Sequence, residues 1–363
     1  MKTKPPADPF SLPPMEFWAF LENSDFQRRR GGGLYRQDEV RLIQHDTRLD
    51  EDYTLMVSIG CVGIRDAARW YITHPAPHRF DWGWLDPVVA SAERHGLRLY
   101  LDLWHYGYPD WLDLLADDAP AHFAEFAAAI AARYPSLQDY CVCNEPTLMV
   151  EMGGHHGRWC PFLRGKTGED RLRAQVCRMI IAASRAILAI RPQARLILPD
   201  PWHATEGNRA RPEDVQARVL DTVLGRRDPE LGGGGDCIHV IGLNHYRDTT
   251  LPPFHRLLLK AKERWSDKPL WLTETSGPPQ GWRQNEWFWW MLSEVMLARL
   301  MGVAIPVFTW APVISMFDWV DERKHLRNGV WKLTPEGERR PNDHLIEALA
   351  LAREYGYLRQ RLS

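Results

Sequence analysis

Eight short apolar runs, each followed by a longer amphipathic stretch, constrain the fold of this chain more than any other feature. They occupy residues 17–21, 62–71, 97–104, 140–144, 195–199, 238–243, 270–273 and 304–310. The runs are continuous rather than alternating, as expected of parallel strands covered on both faces. Between them, 84–95, 119–133, 169–190, 212–224, 285–301 and 341–354 carry helical periodicity, and Arg191-Pro192 closes the longest of these. This alternation predicts an α/β chain, a single (β/α)8 TIM barrel over residues 1–363 with 1–14 as a loose Pro-rich lead-in. A doubly wound open sheet is disfavoured because no G-x-G-x-x-G follows the first run. The glycine runs at 31–33 and 232–235 lack the Lys-Ser/Thr of a phosphate cradle and read as loops, and the arginines at 28–30 read as a solvated turn.

Charge narrows the function classes. Lys plus Arg number 45 against 47 Asp plus Glu, a formal net charge of -2 that offers no footprint for nucleic acid or an anionic membrane surface. No apolar stretch reaches the roughly 18 residues of a membrane helix, and the opening residues hold no hydrophobic signal core, so a cytoplasmic chain is expected. Six cysteines are too sparse for a disulfide framework. Cys141 and Cys143 alternate within one run and are expected on opposite faces as structural thiols. His155 and His156 have no third ligand at recognisable spacing, so neither a metal nor a cofactor is expected. The one excess is tryptophan, 17 residues, whose flat rings fill cores but also make platforms for the apolar faces of sugars.

In a barrel of this kind catalytic groups gather where the strands end. Two carboxylates stand there: Glu145 closes the fourth run in Cys141-Val142-Cys143-Asn144-Glu145-Pro146, and Glu274 closes the seventh in Trp271-Leu272-Thr273-Glu274-Thr275-Ser276-Gly277. A charged residue at the end of a buried strand is costly unless paired or functional. A single such Glu could serve as a helix cap or hold an arginine, but two that face each other across a barrel mouth point to chemistry.

These segments resemble family 1 β-glycosidases and the wider clan of retaining barrel glycosidases. Asn144-Glu145-Pro146 is similar to the acid/base motif, and Thr273-Glu274-Thr275-Ser276-Gly277 to the nucleophile motif Thr-Glu-Asn-Gly. Leu103-Trp104-His105-Tyr106-Gly107-Tyr108-Pro109-Asp110-Trp111-Leu112 is similar to Leu-Tyr-His-Trp-Asp-Leu-Pro-Gln-Trp-Leu of the third strand. Asn244-His245-Tyr246 resembles Asn-Tyr-Tyr, and Trp310 with Phe317-Asp318-Trp319 resembles the Trp-Ser and Phe-Glu-Trp elements. The segments around 75–82 and 157–161 look closer to a short bacterial subgroup with briefer loops, which implies a more open pocket.

The resemblance implies a retaining β-glycoside hydrolase, β-glucosidase-like and acting on a small glycoside or oligosaccharide, with Glu274 as nucleophile and Glu145 as acid and then base. Arg69 is the preferred cation for Glu274, with Arg65 the competing choice, and Tyr246 is its hydroxyl donor. Asn144 is expected to donate to the sugar 2-hydroxyl, His105 to bind a neighbouring hydroxyl and Trp310 to stack beneath the ring, with Asn244, Tyr246 and Asp318 also in the substrate pocket. The loop of His155 and His156 is assigned to the aglycone side, Trp282 to an aglycone contact, and Trp289 and Trp290 to packing. Three departures matter: Gly107 stands for Asp, Asp318 for Glu, and no glucose-gripping Gln is evident near 18–22. Fewer hydrogen bonds on the far hydroxyls, and relaxed selection at the sugar's 4 and 6 positions, are therefore expected unless 18–25 or 321–328 complete the pocket. A transglycosidase on the same site is the alternative, as is a catalytically silent sugar-binding barrel, which would need neither carboxylate.

Overall fold

The computed structural model describes residues 12–203, 213–246, 252–277 and 283–361. Its strands in chain order are β1 (Glu16–Phe20), β2 (Asp25–Arg30), β3 (Gly33–Asp38), β4 (Gly63–Ala67), β5 (Arg98–Asp102), β6 (Asp139–Cys141), β7 (Arg195–Pro201), β8 (Val240–Asn244), β9 (Leu270–Thr275), β10 (Val307–Trp310), β11 (Trp331–Leu333) and β12 (Arg339–Pro341). Eight of them, β1 and β4 to β10, close into one barrel with every neighbouring pair parallel. Each of the eight apolar runs supplies one of these strands, and the chain has the (β/α)8 fold expected of it.

Helices Leu85–Arg94, Ala119–Arg133, Gly165–Ile190, Phe254–Arg264, Gln284–Leu300 and Asp343–Glu354 cover the outside. The region expected as one helix at 212–224 is instead two short ones, Glu213–Gln216 and Arg218–Val223. The barrel interior holds a buried cluster that includes Trp18, Tyr100, Cys141, Ile197 and Trp271, with the Trp18 and Trp271 rings 5.7 Å apart. Cys141 lies in this inner cluster and Cys143 in the separate outer core; residues two apart share a face within a strand, so the separation comes not from strand alternation but from β6 ending at Cys141, with Cys143 beyond it. No helix among the described residues is long and apolar enough to cross a membrane.

The arginines at 28–30 are not a solvated turn. They lie in β2, which pairs antiparallel with β3 in a hairpin whose turn residues Gly31 and Gly32 both have positive φ, the twist a two-residue hairpin turn requires. The hairpin rises over the open end of the barrel and is tied to the loop after β10, where Arg28 Nη1 donates to the carbonyls of Trp319 and Val320 at 2.9 Å each. Phe26 stacks on Trp159 at 4.4 Å, and the Trp319 ring packs edge-on against both.

Candidate active site

At the C-terminal mouth of the barrel the structure places a cavity of about 570 Å³ with both Glu145 and Glu274 in its wall. Glu274 sits in β9 and Glu145 follows β6, where it takes a left-handed conformation (φ 39°) immediately before a helix that begins at Pro146. Left-handed backbone is strained for a residue with a side chain. Here it is fixed by the Glu145 amide donating to the Pro199 carbonyl at 3.0 Å and by the proline that follows. Glu145 and Glu274 are 6% and 4% exposed.

Their surroundings differ. Glu274 Oε1 accepts from Arg65 Nη1 at 2.6 Å, and Oε2 accepts from the Tyr246 hydroxyl at 2.7 Å. Glu145 has two neutral donors, the Tyr106 hydroxyl at 2.7 Å on Oε2 and Asn244 Nδ2 at 2.9 Å on Oε1. Burial, reinforced by the charge on Glu274, pushes the Glu145 carboxyl up to about 8, against the pull of those two donors. The Tyr106 and Tyr246 hydroxyls, buried beside carboxylates, are driven well above the ordinary phenol range and so remain donors.

The cation beside Glu274 is thus Arg65, not Arg69. Gly63 faces the barrel interior against the Trp18 indole, and Arg65, two residues on, shares that face. The strand ends at Ala67, so Arg69 falls outside it, at φ 46°, and forms its ion pairs with Asp38 and Asp46. Arg65 Nη2 also donates to Asp102 Oδ2 at 2.6 Å, and its guanidinium lies over the rings of Phe20 and Tyr100. Although burial raises the Asp102 carboxyl, Arg65 and His105 together hold it below the usual range.

His105 lines the cavity with Nδ1 2.8 Å from Asp102 and Nε2 2.8 Å from Asn144 Nδ2, its ring stacked on Phe20. Tyr246 and Asp318 line it as well; Asp318 Oδ1 also accepts from the backbone N–H groups of Val320 and Asp321, so the carboxylate braces its own loop. Asn144 and Asn244 lie behind the wall. Asn144 gives its Nδ2 protons to His105 and to the Tyr106 hydroxyl, which leaves Oδ1, not the expected donor, without a partner. Asn244 accepts from the Thr273 hydroxyl and donates to Glu145, so it orients the carboxyl.

Trp310 does not offer a platform. Its ring is 0% exposed, packs near Phe288 and donates Nε1 to the Asn328 carbonyl, and among the described residues the indole that reaches the cavity is Trp319. Gly107 is likewise no pocket position: a Cβ there would collide with Asp25 of the hairpin, so the close approach of β2 explains the glycine. His155 and His156 pair with Glu169 and Glu151, and of that segment it is Glu151 that lines the cavity. Among the described residues no group of His, Cys, Asp and Glu could hold a metal ion. Trp282 lies outside the described residues, and Trp289 and Trp290 pack against the core. Sequence motifs did not single out Tyr106 as a Glu145 partner, nor Glu22 and Asn328 as wall residues, although both of the latter fall in the stretches flagged as able to complete the pocket.

Comparisons with known proteins agree with this architecture. A family model described as Glyco_hydro_42, β-galactosidase, matches residues 43–141, which spans β4 to β6 and stops short of both glutamates. No curated protein matches the sequence. Among solved structures, the family 1 β-glucosidase from Thermotoga maritima is similar over 86% of this chain and 88% of its own, with a TM-score of 0.72 at 15% identity. The AHE enzyme from Alicyclobacillus herbarius is similar over 86% and 88%, with a TM-score of 0.74 at 17% identity. The T. maritima β-glucosidase solved with galacto-hydroximolactam is similar over 87% and 88%, with a TM-score of 0.72 at 14% identity. The fold of this chain is that of the glycoside-hydrolase (β/α)8 barrels.

Proposed function

We propose that the protein is a retaining β-glycoside hydrolase in which Glu274 attacks the anomeric carbon and Glu145 first protonates the leaving oxygen and then deprotonates water. The observation that carries this reading is the unequal pairing of two carboxyls in one cavity, Glu274 held by Arg65 and Glu145 held by neutral donors. A nucleophile must be ionised and an acid must hold its proton near neutral pH, and burial beside a second carboxylate is how a glutamate does so. Tyr246 steadies the nucleophile's second oxygen. The Asp102–His105–Asn144–Tyr106 chain of hydrogen bonds fixes the wall between the two carboxyls.

Double displacement returns the β-anomer, so proton NMR of the first-formed sugar tests the stereochemistry directly. Glu274→Gln should abolish turnover on every glycoside. Glu145→Ala should keep much of the first step on aryl β-glycosides with good leaving groups, lose alkyl glycosides, and regain turnover with azide. First release of the α-anomer, or equal loss of both substrate classes in Glu145→Ala, would overturn the assignment.

A further inference from the structure

Three carboxyls in the wall of the cavity, Glu22, Glu151 and Asp318, have no part in the proposed reaction, and of these Glu22 is the buried one. Glu22 follows β1, is 4% exposed, and accepts the Ser24 backbone N–H on Oε1 at 3.1 Å. Among the described residues no lysine or arginine forms an ion pair with it; the His105 Nε2 that approaches to 3.9 Å is already engaged by Asn144. Burial pushes its carboxyl up, as expected where no strong cation answers its charge.

A second wall residue makes an independent demand. Asn328, 6% exposed, has an Oδ1 with no hydrogen-bond partner. A buried acceptor left open costs free energy unless a ligand or water satisfies it. Of the donors at the wall, the Tyr106 and Tyr246 hydroxyls are committed to the two catalytic carboxyls, while Trp319 Nε1 is without a partner. Five carboxyl side chains line the cavity, Glu22, Glu145, Glu151, Glu274 and Asp318, with no lysine or arginine among the described lining residues. Such a wall offers acceptors and negative potential, and it repels phosphorylated or uronic sugars. An ammonium is a compact cation with three donors and no acceptor, the complement of this wall.

We infer that the glycone bound at this site carries an ammonium group, an amino sugar in β-linkage, with Glu22 as the residue that selects it. The inference rests on the glycosidase reading for the site, and its test separates the two.

Binding of methyl β-glucopyranoside and of its 2-, 3-, 4- and 6-amino-deoxy analogues is measured by calorimetry at pH 6.5, where the amines are protonated, on the wild-type enzyme and on Glu22→Gln. At least one amino analogue should bind the wild type roughly tenfold or more tighter than the parent, the scale of a hydrogen bond between charged partners. That preference should vanish in Glu22→Gln and weaken at pH 9.5 in the wild type. No preference for any of the four analogues, or a preference that survives in Glu22→Gln, overturns the inference. Should Glu22→Gln fail to fold, the pH comparison on the wild type decides: a preference unchanged at pH 9.5 overturns it. The matching 4-nitrophenyl glycosides separate the readings. Turnover of neutral sugars without amino preference removes the inference and leaves the hydrolase; tighter amino-sugar binding without turnover of any glycoside removes the hydrolase and leaves the inference.

Discussion

Arg65 and Glu274 meet through Nη1 and Oε1 at 2.6 Å, from strands β4 and β9 that are not neighbours in the barrel. The same guanidinium holds Asp102, so one buried cation serves two carboxylates on different strands. An ammonium cannot make that fork. Arg65→Lys should therefore lower kcat by roughly a hundredfold, as loss of a preorganised electrostatic contact does. Arg65→Met should also cost about 3–5 kcal/mol of stability in urea titrations, because two buried carboxylates lose their counter-charge. Arg69→Lys should leave kcat near wild type, and a comparable loss there would return the role to Arg69.

Tyr106 gives its hydroxyl proton to Glu145, and that donor favours the ionised carboxyl. Tyr106→Phe should therefore move the basic limb of the kcat/KM profile upward, by about half to one pH unit for a hydrogen bond of ordinary strength. The second step, which needs Glu145 as a base, should slow at neutral pH. A limb that stays in place would mean that the hydroxyl orients the carboxyl without tuning it.

Glu145 also ties stability to pH. Its carboxyl titrates near 8 in the folded protein against an ordinary value of 4.5, so the folded state holds the extra proton between those limits. The contribution is fully present below about pH 4.5 and is lost as pH rises through 8. Glu145→Gln, which cannot ionise, should melt above the wild type at pH 9, with the gap closing below pH 5. Scanning calorimetry at the two pH values reads this, and a constant offset would exclude the linkage.

Gly107 faces Asp25 rather than the glycone. Gly107→Ala should thus destabilise the protein by about 1–3 kcal/mol through overpacking against the hairpin. The ratio of kcat/KM for β-glucoside and β-galactoside should change little. A large change in that ratio with unaltered melting would put residue 107 back in the sugar pocket.

The barrel was legible because its eight strands are buried on both faces and therefore read as apolar runs, and the two glutamates because a charge ending such a run has few structural explanations. The hairpin was not. Its arginines read as a solvated turn, while Arg28 ends on loop carbonyls, Arg29 over the Phe162 ring and Arg30 on Glu322. Choosing between Arg65 and Arg69 needed the strand's last residue, which periodicity does not mark. Trp310 and Trp319 carry the same ring, and only the Asn328 carbonyl, far from both in motif terms, shows which one is sealed in the core. Glu22 matched no motif; its signal was its place in the 18–25 stretch, just after the first run.

Two insertions meet beside the cavity: the loop after β10, which lines it through Asp318, Trp319 and Val320, and the β2–β3 hairpin, which braces that loop through Arg28 and the Phe26–Trp319 contact, with Trp159 packed on both rings. Neither insertion supplies a barrel strand, and neither carries Glu145 or Glu274. The reaction centre and this part of the cavity entrance are in that sense separable. Exchanging the hairpin and its partner loop as a matched pair would re-cut the entrance around an untouched reaction centre, whereas exchanging either alone would leave Arg28 and the Trp319 and Val320 carbonyls without their mates.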